Sequence, residues 1–171
     1  MFDLSAPADT AGTVREVLGH FATGVAVITA GGPAGPLGFT CQSFVSLSLE
    51  PLLVSFSPAR TSRTWPLIRT AGTFGVNVLA AGQADVSAAF AGSGNDRFHG
   101  VGWSPGPGGA PRLDGVCAFV SCEPWDEYAA GDHTLVLGRV LALGADAARE
   151  PLVFHRGRYR ALDPGAPSHP R

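Results

Sequence analysis

The stretch GFTCQSFVSLSLEPLLVSFSPARTS, residues 38–62, carries the pattern that decides the fold. Large and small side chains alternate with a period of two over 40–49, which predicts a β-strand. The apolar residues expected to share one face of that strand are Val45, Leu47 and Leu49. Glu50-Pro51 breaks the pattern, and a further strand is predicted over 52–57.

Hydroxyl and guanidinium groups follow this second strand at the start of a predicted helix. Thr61, Ser62 and Thr64 are candidate N-caps, and Pro66 is tolerated only in a first helical turn, so a short helix is expected to end before Gly72. Unpaired N–H groups at a helix start bind phosphate, and arginine adds a planar donor pair for the same anion. Phosphate binding and plain helix capping both explain these residues, and both remain open at this point.

The segments before and after residues 38–62 have patterns that predict short strands and a few short helices. Helices are expected over 13–22 and 83–91, strands over 25–30, 73–79, 115–122 and 134–143, loops over 31–38 and 92–112, and a hairpin over 151–162 that turns near Arg156-Gly157. Strands do not alternate with long helices, so a doubly wound parallel sheet is excluded. An antiparallel, partly closed barrel with short flanking helices fits the pattern better.

Composition narrows the range of functions. The chain has 171 residues, enough for one domain, here predicted over 13–163 between loose tails at 1–12 and 164–171. All 12 basic residues are arginine, which excludes a Walker-A lysine and a pyridoxal Schiff base. The net charge of −2 argues against general nucleic-acid binding.

The cysteines indicate a reducing environment. Cys41, Cys117 and Cys122 are too few for a disulfide framework and lack metal-ligand spacing, so buried thiols are expected. The N-terminus MFDLSAPADT lacks the features of a signal peptide, and no apolar run reaches the roughly 18 residues of a membrane helix. A cytoplasmic protein without membrane contact is therefore expected.

Other motifs are weak. GWSPG at 102–106 matches a nucleophile elbow, but the Pro and Gly residues after it prevent the required helix. The five histidines lack metal-ligand spacing. Asp132-His133 is either a polar pair at a loop edge, the interpretation slightly favoured by the residues, or a ligand contact at the barrel mouth. Alternating arginines after residue 155 indicate a solvated edge strand rather than a phosphate site.

Taken together, these segments resemble the flavin reductase components of two-component flavin-dependent monooxygenases. The resemblance covers about residues 14–162, and its order and spacing are specific. The matching stretches are LGHFATGVAVIT (18–29), residues 38–62, TFGVNVLAAGQADVSAAFA (73–91), RFHGVGW (97–103), GDHTLVLGRV (131–140) and PLVFHRGRYRAL (151–162).

The resemblance implies a mainly β protein, a six-stranded antiparallel Greek-key barrel of the FMN-binding split-barrel type, forming a homodimer. It implies hydride transfer from NADH or NADPH to FMN or FAD, with reduced flavin diffusing to a monooxygenase. No side chain is expected to be catalytic and no metal is expected, because the hydride passes between the two cofactors. Both flavins and both dinucleotides fit, as does flavin acting as prosthetic group or as substrate.

The resemblance also implies site residues. The segment along the flavin ring and ribityl chain corresponds to Thr40, Cys41, Gln42 and Ser43. The phosphate-binding turn corresponds to Ser57, Arg60, Thr61 and Ser62. The nicotinamide side corresponds to His133 and Tyr159. Gln42 replaces an Asn common in relatives, and Leu52 replaces a second Pro.

Two alternatives use the same barrel. One is an oxidase acting on pyridoxamine phosphate, and the other is a flavin or haem carrier without catalysis. A structural dimerisation domain is a third. Consumption of NADH in the presence of flavin distinguishes the reductase from all three.

Overall fold

The computed structural model describes residues 11–92, 94 and 96–162, so the predicted tails lie outside it except for residues 11 and 12. The helices are α1 (Ala11–Leu18), α2 (Trp65–Thr70) and α3 (Ala84–Ala91). The strands are β1 (Thr23–Gly24), β2 (Ala26–Gly32), β3 (Gly35–Cys41), β4 (Val45–Leu49), β5 (Leu52–Phe56), β6 (Phe74–Val78), β7 (Trp103–Pro105), β8 (Pro111–Leu113), β9 (Ala118–Ala130), β10 (His133–Ala145), β11 (Val153–His155) and β12 (Arg158–Arg160). None of the described helices is long and apolar enough to cross a membrane.

Seven strands form the main antiparallel sheet in the order β3-β2-β6-β9-β10-β5-β4. Its two edge strands, β3 and β4, follow one another in the chain, joined only by residues 42–44. The four residue steps from Cys41 to Val45 span at most about 14 Å. Six strand spacings in a flat sheet would separate the edges by about 29 Å. The sheet must therefore curl until its edges approach each other, and we call the gap bridged by residues 42–44 the seam.

The seam also explains where the sequence-based prediction was wrong. The single strand expected over 40–49 is two strands on opposite edges, because β3 ends at Cys41 and β4 begins at Val45. The main sheet has seven strands, where the resemblance implies six. The loop expected over 31–38 is largely a hairpin, because Gly35 has φ 126° and turns the chain back into β3. The mainly β, antiparallel architecture with short flanking helices is confirmed.

Two apolar layers pack on the two faces of the sheet. Residues of β2 and Val25 just before it alternate between the layers: Ala26 and Ile28 face the inner layer, and Val25 and Val27 border the outer one. The inner layer contains Phe56, Trp65 and Phe74, whose rings meet edge to face at centroid distances of 5.1–6.0 Å. The outer layer contains the α3 residue Phe90 and several partners, namely Leu79, Leu113 and Leu152. Helix α3 therefore packs on the outside of the barrel, and α2 covers part of its interior.

The terminal hairpin turns where the sequence predicts it. Arg156 and Gly157 both have positive φ, 51° and 73°, as a two-residue turn between right-twisted antiparallel strands requires. The expectation that all three cysteines are buried and free is also confirmed. Helix α1 begins two residues earlier and ends four residues earlier than predicted, since residues 13–22 were expected to be helical.

Asn77 attaches the Gly- and Pro-rich segment before β9 to the sheet. Its side chain is fully buried, its amide nitrogen donates to the Pro111 and Val27 carbonyl oxygens (3.3 and 3.2 Å), and its amide oxygen accepts from the Leu113 N–H (2.8 Å). Ala110 and Leu113 are buried beneath this contact. The loop expected over 92–112 therefore contains β7 and the start of β8, and it contributes Ala110 to the buried core.

Replacing Asn77 by Ala is expected to lower the free energy of unfolding by about 3 kcal/mol, because buried backbone groups lose their partners. Urea denaturation measures this. Thr70→Ala, at an exposed helical site, should change stability by less than about 0.5 kcal/mol. Equal stability of the Asn77 variant and the wild type would contradict the role assigned to this amide.

Candidate functional site at the seam

A cleft of about 1100 Å³ opens at the seam. We call it the seam cleft. Its lining includes eight of the ten residues that the sequence predicts for the site: Thr40, Cys41, Gln42, Ser43, Ser57, Thr61 and Ser62 from the flavin set, and His133 from the nicotinamide set. The two that do not line it are Arg60 and Tyr159. Segments far apart in sequence therefore meet in one cavity.

The closing of the sheet at the seam brings these eight predicted residues together in one cavity. Ser43 holds the two sides of the seam at a fixed distance. Its hydroxyl oxygen accepts a hydrogen bond from the Ser57 N–H at 2.8 Å and lies 3.3 Å from the Cys41 thiol. Burial raises the pKa of that thiol above its ordinary value, so Cys41 stays neutral near pH 7. Cys41 therefore contributes a small neutral surface to the cleft rather than a reactive thiolate.

Backbone pairing with the start of β10 holds the turn after β5. Ala59 forms an antiparallel bridge with His133, the Thr134 N–H donates to the Pro58 carbonyl at 3.0 Å, and the Arg60 N–H donates to the Asp132 carbonyl at 2.8 Å. The turn and the Asp132-His133 pair are thereby fixed relative to each other. This arrangement brings the predicted phosphate turn and the predicted nicotinamide-side residue to one end of the barrel.

His133 is oriented by its neighbour in sequence. Its Nδ1 lies 2.7 Å from Asp132 Oδ1, which leaves Nε2 available for a further contact. The hydrogen bond from His133 lowers the pKa of the Asp132 carboxyl, which keeps it ionised over the neutral range. Asp132 fixes the imidazole and the imidazole lines the cleft, so the geometry is compatible with either interpretation of this pair.

The hydroxyl groups of the predicted phosphate turn have two roles, because they cap the start of helix α2 and line the seam cleft. The Ser62 hydroxyl oxygen accepts from the Trp65 N–H at 3.2 Å, so Ser62 caps the start of α2 and can still donate its own proton. Thr61 is exposed and lines the cleft. Arg60 lies beside a neighbouring cavity of about 170 Å³, which it shares with Ser62. The Arg60 guanidinium thus belongs to the same turn as Thr61 and Ser62 but does not line the seam cleft.

Tyr159 contacts helix α3 rather than the cleft. Its hydroxyl donates to the Ser87 hydroxyl at 2.9 Å, and Thr40 donates to the Ser87 carbonyl at 2.7 Å. Ser87 is buried, so it connects the terminal hairpin with the strand that lines the seam. Tyr159 therefore has a structural contact with the cleft wall through α3.

The residues that the resemblance implies for the site do not include several lining residues, above all Arg63 and Arg97. Arg97 donates through Nη1 to the Gly38 carbonyl (2.6 Å) and to the Thr64 hydroxyl (3.1 Å). Arg63 lies next to the predicted turn, and Arg97 falls within the RFHGVGW stretch, so both were visible in the sequence. Nothing in the local pattern indicates that Arg97 crosses to Thr64, because that contact spans 33 positions.

The cleft suits an anionic, flat ligand. Its described lining contains two arginines, several hydroxyls and the aromatic residues Phe39 and Phe90, but no carboxylate. The Nε of Arg97 is buried and has no hydrogen-bond partner among the described residues. No group of three or more His, Cys, Asp or Glu that could hold a metal ion occurs in the described part of the chain. These residues fit a flavin phosphate, and the volume slightly exceeds the roughly 300–1,000 Å³ of typical small-molecule sites.

Comparison with known proteins agrees with this chemistry. The sequence profile of a family described as flavin reductase like domain matches residues 18–163. The reductase subunit of a flavin-dependent monooxygenase from Rhodococcus jostii is 44% identical over 150 residues, which cover 88% of this chain and 77% of that protein.

Solved structures extend the likeness to the fold. A homologue of nitrilotriacetate monooxygenase component B from Mycobacterium thermoresistibile has a TM-score of 0.90 and 41% identity, covering 94% of this chain and 90% of that chain. An NADH:FAD oxidoreductase from Streptomyces globisporus, in complex with NAD and FAD fragments, has a TM-score of 0.90 and 38% identity, covering 97% and 100%. The predicted split-barrel fold is confirmed, and the chain belongs to the flavin reductase-like domain family.

Proposed function

We propose that this chain is an NAD(P)H-dependent flavin reductase that transfers a hydride from NADH or NADPH to FMN or FAD. The observation that carries this function is the seam cleft, whose described lining includes residues 40–43, residues 57–59, Thr61, Ser62 and His133 but no carboxylate. Relatives named as flavin reductase and as FMN reductase (NADH) support the same reaction.

We assign the polar groups of the cleft to three tasks. Backbone and side-chain groups at 40–43 orient the flavin ring against the β3 end of the seam. The hydroxyls of Thr61 and Ser62, with the Arg60 guanidinium, hold the phosphate end. His133, fixed by Asp132, contacts the nicotinamide side.

The chain's contribution to the reaction is positioning. When bound, the nicotinamide and the flavin supply the hydride chemistry between them. The protein therefore needs no nucleophile and no titrating side chain, and the neutral Cys41 thiol avoids placing a negative charge beside an electron-rich ring. Holding two flat molecules face to face in one cleft supplies most of what a reductase must provide.

The direct test mixes the purified protein with NADH and an excess of FMN or FAD and follows the nicotinamide absorbance. The proposal expects flavin-dependent NADH consumption. A non-catalytic flavin carrier would bind flavin and consume no NADH. An enzyme resembling a pyridoxamine-phosphate oxidase would oxidise that substrate instead. Either of those results would reject the reductase.

Arg60→Ala is expected to raise the dissociation constants of FMN and FAD by roughly tenfold, because it removes a charge-assisted contact to the phosphate that both share. The rate at saturating flavin should stay close to that of the wild type. Fluorescence titration and steady-state kinetics measure the two effects. Arg112→Ala, at the β7–β8 hairpin, serves as the control. A large loss of saturated rate with unchanged affinity would refute the phosphate role.

His133→Ala is expected to raise the KM for the nicotinamide dinucleotide about fivefold, equivalent to about 1 kcal/mol for one neutral contact. Flavin affinity should change less. Asp132→Asn retains the imidazole and should have a smaller effect on that KM. Unchanged reductase kinetics in the His133 variant would show that the Asp132-His133 pair has only a structural role at the loop edge.

We also propose a reaction partner and a location. Relatives named as reductase subunits of monooxygenases support a flavin-dependent monooxygenase that receives the reduced flavin. Three free cysteines support a cytoplasmic, reducing environment. The single domain over 13–163 is part of the same proposal, as the family profile matches residues 18–163.

A homodimer is the assembly we propose. The apolar face predicted for β4 is exposed, with Val45, Leu47 and Leu49 at 53%, 50% and 84%. An edge strand with such a face is prone to pair with another copy.

Leu49→Arg is therefore expected to shift the protein from dimer to monomer, which light scattering coupled to size-exclusion chromatography measures. The cause is the cost of burying an unpaired guanidinium in an apolar interface. Leu67→Arg, at a similarly exposed leucine on α2, should leave the mass unchanged. A wild-type protein that elutes as a monomer at micromolar concentration would refute the dimer.

A further inference from the structure

The cavity of about 170 Å³ beside the phosphate turn is separate from the seam cleft, and we call it the back pocket. Its described lining includes Arg60 and Ser62 of the turn, Trp65 at the start of α2 and Glu127 on β9. Ala59 and Ser62 line both cavities, so the two cavities meet at this turn. A group in the back pocket can therefore act on the residues that border the cleft.

Two buried polar atoms of the back pocket have no hydrogen-bond partner among the described residues. They are the indole Nε1 of Trp65 and the carboxylate Oε1 of Glu127. Trp65 is only 5% exposed, and its N–H can only donate, whereas the carboxylate oxygen accepts. Unpaired buried polar groups are costly, and a polar cavity of this volume admits water molecules that satisfy both.

The two oxygens of Glu127 have different surroundings. Oε2 accepts from Arg69 Nη1 at 3.3 Å, which leaves Oε1 free for a second donor. Arg60 is exposed, and its guanidinium makes no hydrogen bond or ion pair with another described residue. Its backbone N–H donates to the Asp132 carbonyl, at the turn between β9 and β10, so Arg60 lies beside the hairpin that carries Glu127. A free carboxylate oxygen and a free guanidinium thus border one small cavity.

Glu127 is also the single carboxylate in the described linings of the two cavities. Any anion in the cleft is surrounded by cationic and hydroxyl groups, and the competing negative charge lies on the other side of the phosphate turn. Opposite charges in partly exposed positions attract each other weakly, so this competition can adjust affinity without preventing binding.

We propose that Glu127 is a positioning residue that competes with the flavin phosphate for Arg60. This inference rests on the proposed function, in which Arg60 binds that phosphate. Without flavin, Oε1 of Glu127 accepts from the Arg60 guanidinium, either directly or through a water that also accepts from the Trp65 N–H. Flavin binding draws the guanidinium away from the carboxylate. Glu127 therefore weakens flavin binding, which favours release of the reduced flavin.

The test measures the dissociation constants of FMN and FAD by fluorescence titration. Glu127→Gln keeps the shape and one acceptor but removes the charge, so both flavins should bind about threefold to fivefold more tightly, the scale of one solvent-screened ion pair. Arg69→Gln leaves Arg60 as the remaining cation for the carboxylate, so both should bind about twofold more weakly. Glu123→Gln breaks the pair with Arg139 on the same hairpin and should change neither constant.

The opposite signs expected for Glu127→Gln and Arg69→Gln separate positioning from a structural role. Both variants break the same Arg69–Glu127 contact, so a purely structural pair would move the flavin dissociation constants in the same direction. The dependence on Arg60 is measured in an Arg60→Ala background. There Glu127→Gln should have almost no effect, because the two residues act through one contact.

Three results would overturn the positioning role. One is unchanged or weaker flavin binding in Glu127→Gln. Another is tighter binding that persists in the Arg60→Ala background, since Glu127 would then repel the phosphate directly. The third is wild-type flavin affinity in Arg60→Ala alone, which would remove Arg60 from the phosphate. A wild-type protein that binds neither flavin would instead reject the proposed function itself, which distinguishes the two failures.

Discussion

The short connection between β3 and β4 forces the main sheet to curl, and both the apolar interior and the cleft follow from that curl. These strands are the opposite edges of a seven-stranded sheet, yet only residues 42–44 separate them. So short a connection is possible only when the sheet curls, and the curl creates both the closed apolar interior and the seam. The Ser43–Ser57 hydrogen bond then holds the edges at the distance that leaves a cleft between them.

The cleft combines backbone rigidity with a positive, carboxylate-free lining. Pairing of Ala59 with His133 ties the turn after β5 to the long β10 strand, so the polar groups on that turn lie on a rigid support. Arg63 and Arg97 supply the positive charge, although the whole chain has a net charge of −2. No described acidic side chain lines the cleft, and several form surface pairs such as Arg139–Glu123 and Arg149–Asp146. An anionic ligand is thus attracted to one region of a weakly acidic protein.

Two buried polar residues on the outer face of the sheet, Asn77 and Ser87, connect distant segments of the chain. Asn77 attaches the irregular segment before β9 to the sheet, and Ser87 connects α3 with both Thr40 and Tyr159. Each of these residues satisfies groups from chain segments that are distant in sequence. Ser87 thereby holds Thr40, which lines the cleft, without lining the cleft itself.

The amino-acid sequence was enough to predict the antiparallel, mainly β class, the terminal turn at Arg156-Gly157 and the segments that line the cleft. Side-chain alternation and turn chemistry act over a few residues, so they are visible without knowledge of the fold. The division of 40–49 into two edge strands became visible only in the tertiary structure. Side-chain alternation continues on both sides of the division and does not show which neighbouring strand each residue pairs with. The same holds for Arg97, whose part in the site depends on a contact with Thr64, 33 positions away. Local patterns report which face of the chain is apolar, whereas the closing of the sheet decides which distant side chains meet.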